Sequence, residues 1–358
     1  MKIIEKGNGK ALFSENYNYI FRKSDGFFMR WGKTTQEDPQ FSPYGPELID
    51  MELSINGCPN NCSFCYKSNN SSEPINMSFD TFVKIFKKLP KTVTQIAFGI
   101  TGIQTNPNFL KILEYCKENG VIPNFTLSGI DLTDSIALQC SKLIGAVAVS
   151  AYQQDKNICY NTVEKFIGMG ISQTNIHLLV AEENLDFVYE VVKDSQTDKR
   201  LKNLNAIVLL GVKSKGRAKE SYSSLSSNKF QKLVKYCFDN EIDIGFDSCS
   251  APKFESSIKN MDMSESRKQE LNMLSESCES FGLFSAYINV FGDYFPCSFA
   301  ENEKGWENGL SVLHCDDFLK DIWFSNKVKK WRKKSLDTCY NNGCRRCLIF
   351  EEINPEKF

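Results

Sequence analysis

Histidine is nearly missing from this chain of 358 residues: it occurs only as His177 and His314. A metal site built from histidines is thereby almost excluded. An excess of one charge is missing too, since 43 Lys and Arg stand against 44 Asp and Glu, well mixed, for a net charge of −1. That balance argues against a nucleic-acid or membrane-binding surface. No apolar run approaches the length of a membrane span. The Met1 end is charged and polar within its first ten positions, unlike a signal peptide. Internal repeats and low-complexity tracts are absent from the sequence. These absences predict a soluble cytoplasmic protein with one large domain and an appendage, or two ordinary domains.

Cysteine, by contrast, is plentiful, with 14 in the chain. In a reducing compartment such residues bind metal or stay as thiols. Cys116, Cys140, Cys159 and Cys237 lie in apolar patterns and read as small buried hydrophobes. Seven others fall into two sets. The first is Gly57-Cys58-Pro59-Asn60-Asn61-Cys62-Ser63-Phe64-Cys65-Tyr66. An odd number of thiols makes a poor disulfide framework. A zinc site wants four protein ligands, and neither a fourth Cys nor a His lies close by in sequence. A cuboidal iron–sulfur cluster normally takes four thiolates. Three would leave one iron open to a cofactor or substrate. An incomplete zinc knuckle and incidental thiols are the alternatives.

Residues 1–49 read as a β-hairpin extension, with Tyr19–Phe21 and Phe27–Met29 flanking an Asp25-Gly26 turn. A first strand follows at Met51-Leu53-Ile55. Strand-like and helix-like segments then alternate to Phe246, with strands at Gln95–Ile100, Ile122–Leu127, Ala146–Ser150, Asn175–Val180, Leu204–Leu210 and Ile242–Phe246. Ser78 reads as the N-cap of the first helix. Such βα alternation implies a parallel sheet, with too few units for an eightfold barrel.

The spacing of the first cysteine set, with an aromatic residue before its third Cys and Tyr66 after it, resembles the cluster loop of the radical S-adenosylmethionine (SAM) superfamily. The strand count resembles that superfamily's partial (β/α)6 barrel. The second set, Cys278, Cys297, Cys344 and Cys347, has thirteen residues from Cys278 to Gly292 and four from Gly292 to Cys297. This resembles the opening of the SPASM and twitch extensions of radical SAM enzymes. Too few cysteines follow Cys347 for the full SPASM pattern, which favours the twitch type. Cys339 or Cys315 stands as a substitute ligand, and a four-cysteine zinc ribbon has the same CxxC spacing.

The resemblance implies an α/β fold: a radical SAM barrel over residues 50–250 and a small cysteine-rich auxiliary-cluster domain over 251–358. It implies that Cys58, Cys62 and Cys65 hold a 4Fe-4S cluster whose open iron chelates SAM, and that the second set holds one auxiliary cluster. A glycine-rich motif with an acid receives the SAM amino group in the family. Here that place reads Gly99-Ile100-Thr101-Gly102-Ile103-Gln104, without an acid, so Thr101 or Gln104 is the expected substitute. Tyr66, Ser128, Ser150, Lys213 and Arg217 complete the expected cofactor contacts. Asp247, Cys249 and the barrel-facing His177 are the expected catalytic groups. The implied reaction is reductive cleavage of SAM to a 5′-deoxyadenosyl radical, which abstracts hydrogen from a peptide or protein substrate. Dehydrogenation or epimerisation of a small metabolite is the alternative reaction, and an iron–sulfur redox sensor the alternative class. An electron donor such as flavodoxin or ferredoxin is the implied partner.

Overall fold

In the computed structural model the described residues are 1–338, 345–354 and 357. The chain opens with four antiparallel strands in sequence order: β1 (Lys2–Lys6), β2 (Gly9–Phe13), β3 (Asn18–Arg22) and β4 (Phe28–Trp31). The expected hairpin is β3–β4, and two further strands extend it to a sheet. Leu12, Tyr17, Tyr19 and Phe21 form that sheet's own buried cluster against Leu283 and Phe284. Lys10 crosses to the main sheet, its ammonium donating to the Val93 carbonyl at 2.6 Å.

Next come β5 (Leu48–Glu52), the short pair β6 (Ser54–Ile55) and β7 (Ile75–Asn76), and α1 (Phe79–Phe86), whose N-cap is Ser78. The βα run continues with β8 (Gln95–Gly99), α2 (Phe109–Glu118), β9 (Ile122–Leu127), α3 (Asp134–Ser141), β10 (Val147–Ser150) and α4 (Lys156–Gly168). It ends with β11 (Thr174–Val180), α5 (Leu185–Thr197), β12 (Ala206–Gly211), α6 (Ala218–Ser221), α7 (Ser227–Asp239), β13 (Ile244–Phe246), α8 (Ala251–Lys259) and α9 (Glu265–Met273). Helix α8 was not legible in the sequence because Pro252 reads as a breaker. It occupies the first turn, where proline lacks no bond the helix would make.

The strands β13-β12-β11-β10-β9-β8-β5 are parallel neighbours in that order. Beside β5 lies β14 (Ser285–Ile288), also parallel, followed by β15 (Asp293–Phe295) and β16 (Leu310–Ser311), each antiparallel to its neighbour. The C-terminal hairpin therefore continues the sheet of the partial barrel. Helix α10 (Asn326–Leu336) closes over it. There Trp323 is fully buried and donates its indole N–H to the Ser42 carbonyl at 2.9 Å.

Alternation along each strand sorts the two faces. On β11, Ile176, Leu178 and Val180 are buried beneath the helices, while Asn175, His177 and Leu179 are half-buried on the inner face. On β5, Ile49 and Met51 point outward into the core, and Asp50 and Glu52 point inward. Chemistry that uses this fold gathers where the inner face meets the loops at the strands' C-terminal ends.

Candidate iron–sulfur site

The cysteine loop leaves β6 through backbone that favours small residues: Asn56 and Gly57 both have positive φ, as does Asn61 within the loop. Its ends are pinned by Gly57 N–H to the Ser72 carbonyl (2.8 Å) and Cys58 N–H to the Asn70 carbonyl (2.9 Å). The loop after β12 grips it from outside. The Arg217 guanidinium donates twice to the Cys62 carbonyl, at 2.8 and 2.6 Å, and its backbone N–H reaches the Cys65 carbonyl at 3.1 Å. Gly216 lies so close that a Cβ there would sit 2.4 Å from the Cys65 carbonyl oxygen.

All three thiols are free and half-buried. Burial, then the neighbouring Cys58 and Cys65, push the Cys62 thiol up to about 11, while a hydrogen bond from Tyr152 works the other way. The donor set is three soft sulfurs without imidazole or carboxylate, which suits iron–sulfur chemistry. Among the described residues no three His, Cys, Asp or Glu side chains close around a single ion. By the chemistry of their donors, three free thiols on one short loop, the residues present fit a cluster ligated by three thiolates.

Aromatic side chains frame the loop. Phe64 stacks on Tyr152 (centroids 5.9 Å) and meets Tyr222 edge-on (5.5 Å), and Ser63 Oγ lies 3.0 Å from the Tyr222 hydroxyl. Tyr152 was missed by sequence reasoning; its signal is an aromatic two residues beyond the C-terminal end of β10. Of the expected cofactor contacts, Ser150 hydrogen-bonds Tyr152, and Ser128 is buried at the end of β9. Thr101 donates its hydroxyl to Ser54 Oγ at 3.1 Å, which ties the β8 loop to β6. Gly99 is open on the inner face. Gln104 engages Asp131 twice: its N–H donates to the carboxylate (2.9 Å) and its amide to the carbonyl (2.6 Å). The Asp131 carboxylate of the β9 loop thus lies beside Gly102.

Lys213 and Arg217 do not converge on one anion. Arg217 is committed to the Cys62 carbonyl, and Lys213 pairs with Asp247. Burial works against the Lys213 ammonium, but Asp247 and the thiols of Cys249 and Cys347 outweigh it and lift its pKa above the ordinary lysine value. Asp247 also accepts from Ser250 Oγ at 2.5 Å and lies near enough to act on His177. Burial drops the His177 imidazole to about 4, with Asp247 opposing, so the ring is neutral at pH 7. Cys249 lies with the second cysteine set: burial raises its thiol, and Cys278 and Cys347 act on it. Cys278, Cys297 and Cys347 act on one another in the same way. Arg345 holds the C-terminal segment to Cys278, donating to its carbonyl at 3.0 Å. Cys344 and the possible substitute Cys339 lie outside the described residues. Cys315 is buried, its thiol turned to the Val312 carbonyl at 3.2 Å.

The two cysteine regions touch. Tyr66 packs on Phe299 (centroids 4.6 Å), two residues after Cys297. Lys67 bridges Glu52 (3.2 Å) and Glu301 and donates to the Tyr287 hydroxyl at 2.5 Å. Asn289 donates to Glu301 at 2.7 Å. Lys215 donates to the Phe299 carbonyl and pairs with Glu303, both at 3.0 Å.

No protein-family model and no curated protein matches the sequence. Solved structures do. The chain is similar to Streptococcus suis SuiB bound to its precursor peptide SuiA, with 12% identity, a TM-score of 0.60, and coverage of 89% of this chain and 90% of that one. It is also similar to native anSMEcpe with bound AdoMet and a Cp18Cys peptide, with 16% identity, a TM-score of 0.58, and coverage of 80% and 83%. At these identities the likeness is one of fold. The fold shared with these structures is a partial α/β barrel with a C-terminal extension. Among the described residues no helix is long and apolar enough to cross a membrane.

Proposed function

We propose that this chain is a radical SAM enzyme that modifies a peptide or protein. One observation carries the reading: three free thiols share a loop at the C-terminal end of the barrel's first strands, held there by Arg217 and Gly216. Cys58, Cys62 and Cys65 would hold the 4Fe-4S cluster, and Cys278, Cys297 and Cys347 with Cys344 the auxiliary one. Such a cluster with SAM on its open iron supplies a radical able to take hydrogen from an unactivated carbon.

The chain's own residues orient and protect. Phe64, Tyr152 and Tyr222 offer flat apolar faces for a planar ring beside the thiols, and they exclude water. Gly99 leaves the β8 backbone approachable, and Asp131 beside Gly102 takes the place of the acid that the motif lacks. The neutral His177 offers an imidazole nitrogen without a proton to the inner face. Tyr66 and Lys67 seat the cluster loop against the segment after Cys297, so both cysteine regions form one rigid surround. The peptide substrate is favoured because the structures of similar fold include SuiB with the peptide SuiA and anSMEcpe with a Cp18Cys peptide. Reducing equivalents would come from a flavodoxin or ferredoxin.

The test is spectroscopic. After anaerobic reconstitution and reduction, SAM is expected to alter the EPR signal of the cluster in the wild type. The response should vanish in Cys62→Ala, while auxiliary iron is retained. An intact cluster indifferent to SAM would favour the redox-sensor reading, and zinc without iron or sulfide would end both.

A further inference from the structure

Several charged groups around the open end of the barrel are matched. Lys67 stands between Glu52 and Glu301, Lys213 on Asp247, and Lys215 on Glu303, while Arg217 is committed to a carbonyl. Asp50 has no hydrogen bond or ion pair among the described residues. It sits on the inner face of β5, two residues before Glu52, with Tyr287 of β14 and Ala97 of β8 as its register neighbours. A residue in the middle of a ten-stranded sheet would ordinarily be covered, yet the Asp50 side chain is exposed. Its carboxylate therefore faces the hollow of the barrel rather than packed protein.

We propose that Asp50 is the docking carboxylate for a cationic group of the substrate, an amine or a guanidinium, entering the open end of the barrel. This deepens the peptide-modifying reading and rests on it for the identity of the hollow as the substrate chamber. A lone carboxylate on the inner face, ringed by protein yet reached by water, has no counter-charge to hold it ionised. The protein packed around it raises its pKa to about 6. An incoming cation restores the missing partner and draws the group back to its ionised form. Two residues along the strand, Glu52 shares Lys67 with Glu301, so the trio carries an excess of negative charge. The local field thus favours the same sign of ligand. Neutral and anionic substrate groups gain nothing from such a chamber.

The test uses the reconstituted full-length protein and two probes of equal shape, butylguanidinium and neutral butylurea, with thermal melting and calorimetric titration. Butylguanidinium at millimolar concentration is expected to raise the melting temperature and butylurea is not. Asp50→Asn, which keeps the side-chain shape and removes a poorly solvated charge, should melt no lower than wild type and bind the cation at least tenfold more weakly. Asp50→Ser serves as a second variant and should behave alike. Equal binding by wild type and both variants would overturn the proposal, as would no preference for butylguanidinium over butylurea. Release of 5′-deoxyadenosine from SAM is read in parallel. Its absence with Asp50-dependent binding intact sinks the radical reading alone, and the converse sinks the docking carboxylate alone.

Discussion

Arg217 reaches across 155 residues of sequence to hold the Cys62 carbonyl with two charge-assisted hydrogen bonds. Bonds of that kind contribute about 1.5–3 kcal/mol. Arg217→Ala is therefore expected to lower the iron and sulfide retained at the first cysteine loop severalfold, measured after anaerobic reconstitution. Arg217→Lys should rescue little, because an ammonium lacks the planar fork. Gly216 beside it has φ of +57° and no room for a side chain. Gly216→Ala should cost at least about 2 kcal/mol in denaturant unfolding. His177 supplies a pH test. Its folded pKa of about 4 lies below the ordinary value near 6.5, so the unfolded chain binds more protons between those limits. Stability should fall as pH drops from about 6.5 to 4, by roughly 2 kcal/mol given the ring's partial exposure. His177→Asn should flatten that part of the profile.

At the scale of elements, the parallel strands were legible because their outward faces are strongly apolar, as Ile176, Leu178 and Val180 on β11 illustrate. Their expected limits shift by only a residue or two, except at the first strand, which runs Leu48–Glu52 and is separated from Ser54–Ile55. Strand β1 was not legible because three of its five residues are charged and all but Ile3 are exposed. The inner-face acids escaped notice for a related reason. A carboxylate in a strand reads as solvent-facing, and only the curvature of the sheet turns Asp50 and Glu52 into a shared hollow. The pairing of β14 with β5 was equally invisible, since it joins segments more than 230 residues apart. That pairing brings Glu301 to Glu52 with Lys67 between them. Lys67→Met would leave two largely buried carboxylates without a cation, a loss of about 3 kcal/mol in thermal unfolding. Adding Glu301→Gln should recover part of it, and simple additivity of the two losses would contradict the network.

The molecule as a whole brings two cysteine regions into contact through Tyr66 on Phe299 and Lys67 on Glu301. The first loop was readable because three cysteines in eight residues admit few chemistries. Tyr152 and Asp131 were not, and Arg217 read as a cofactor contact rather than a clamp on the Cys62 carbonyl, since each meets its partners only once the barrel is folded. Other sequence expectations also change character in the fold: Cys249 lies beside Cys278 and Cys347, and Lys213 is matched to Asp247.

The decisive observation is the fate of SAM given to the reduced, reconstituted protein under strict anaerobiosis. Chromatography should find 5′-deoxyadenosine and methionine accumulating with wild type and absent with Cys62→Ala. Failure of a fully loaded, reducible wild-type protein to release any 5′-deoxyadenosine would contradict the account.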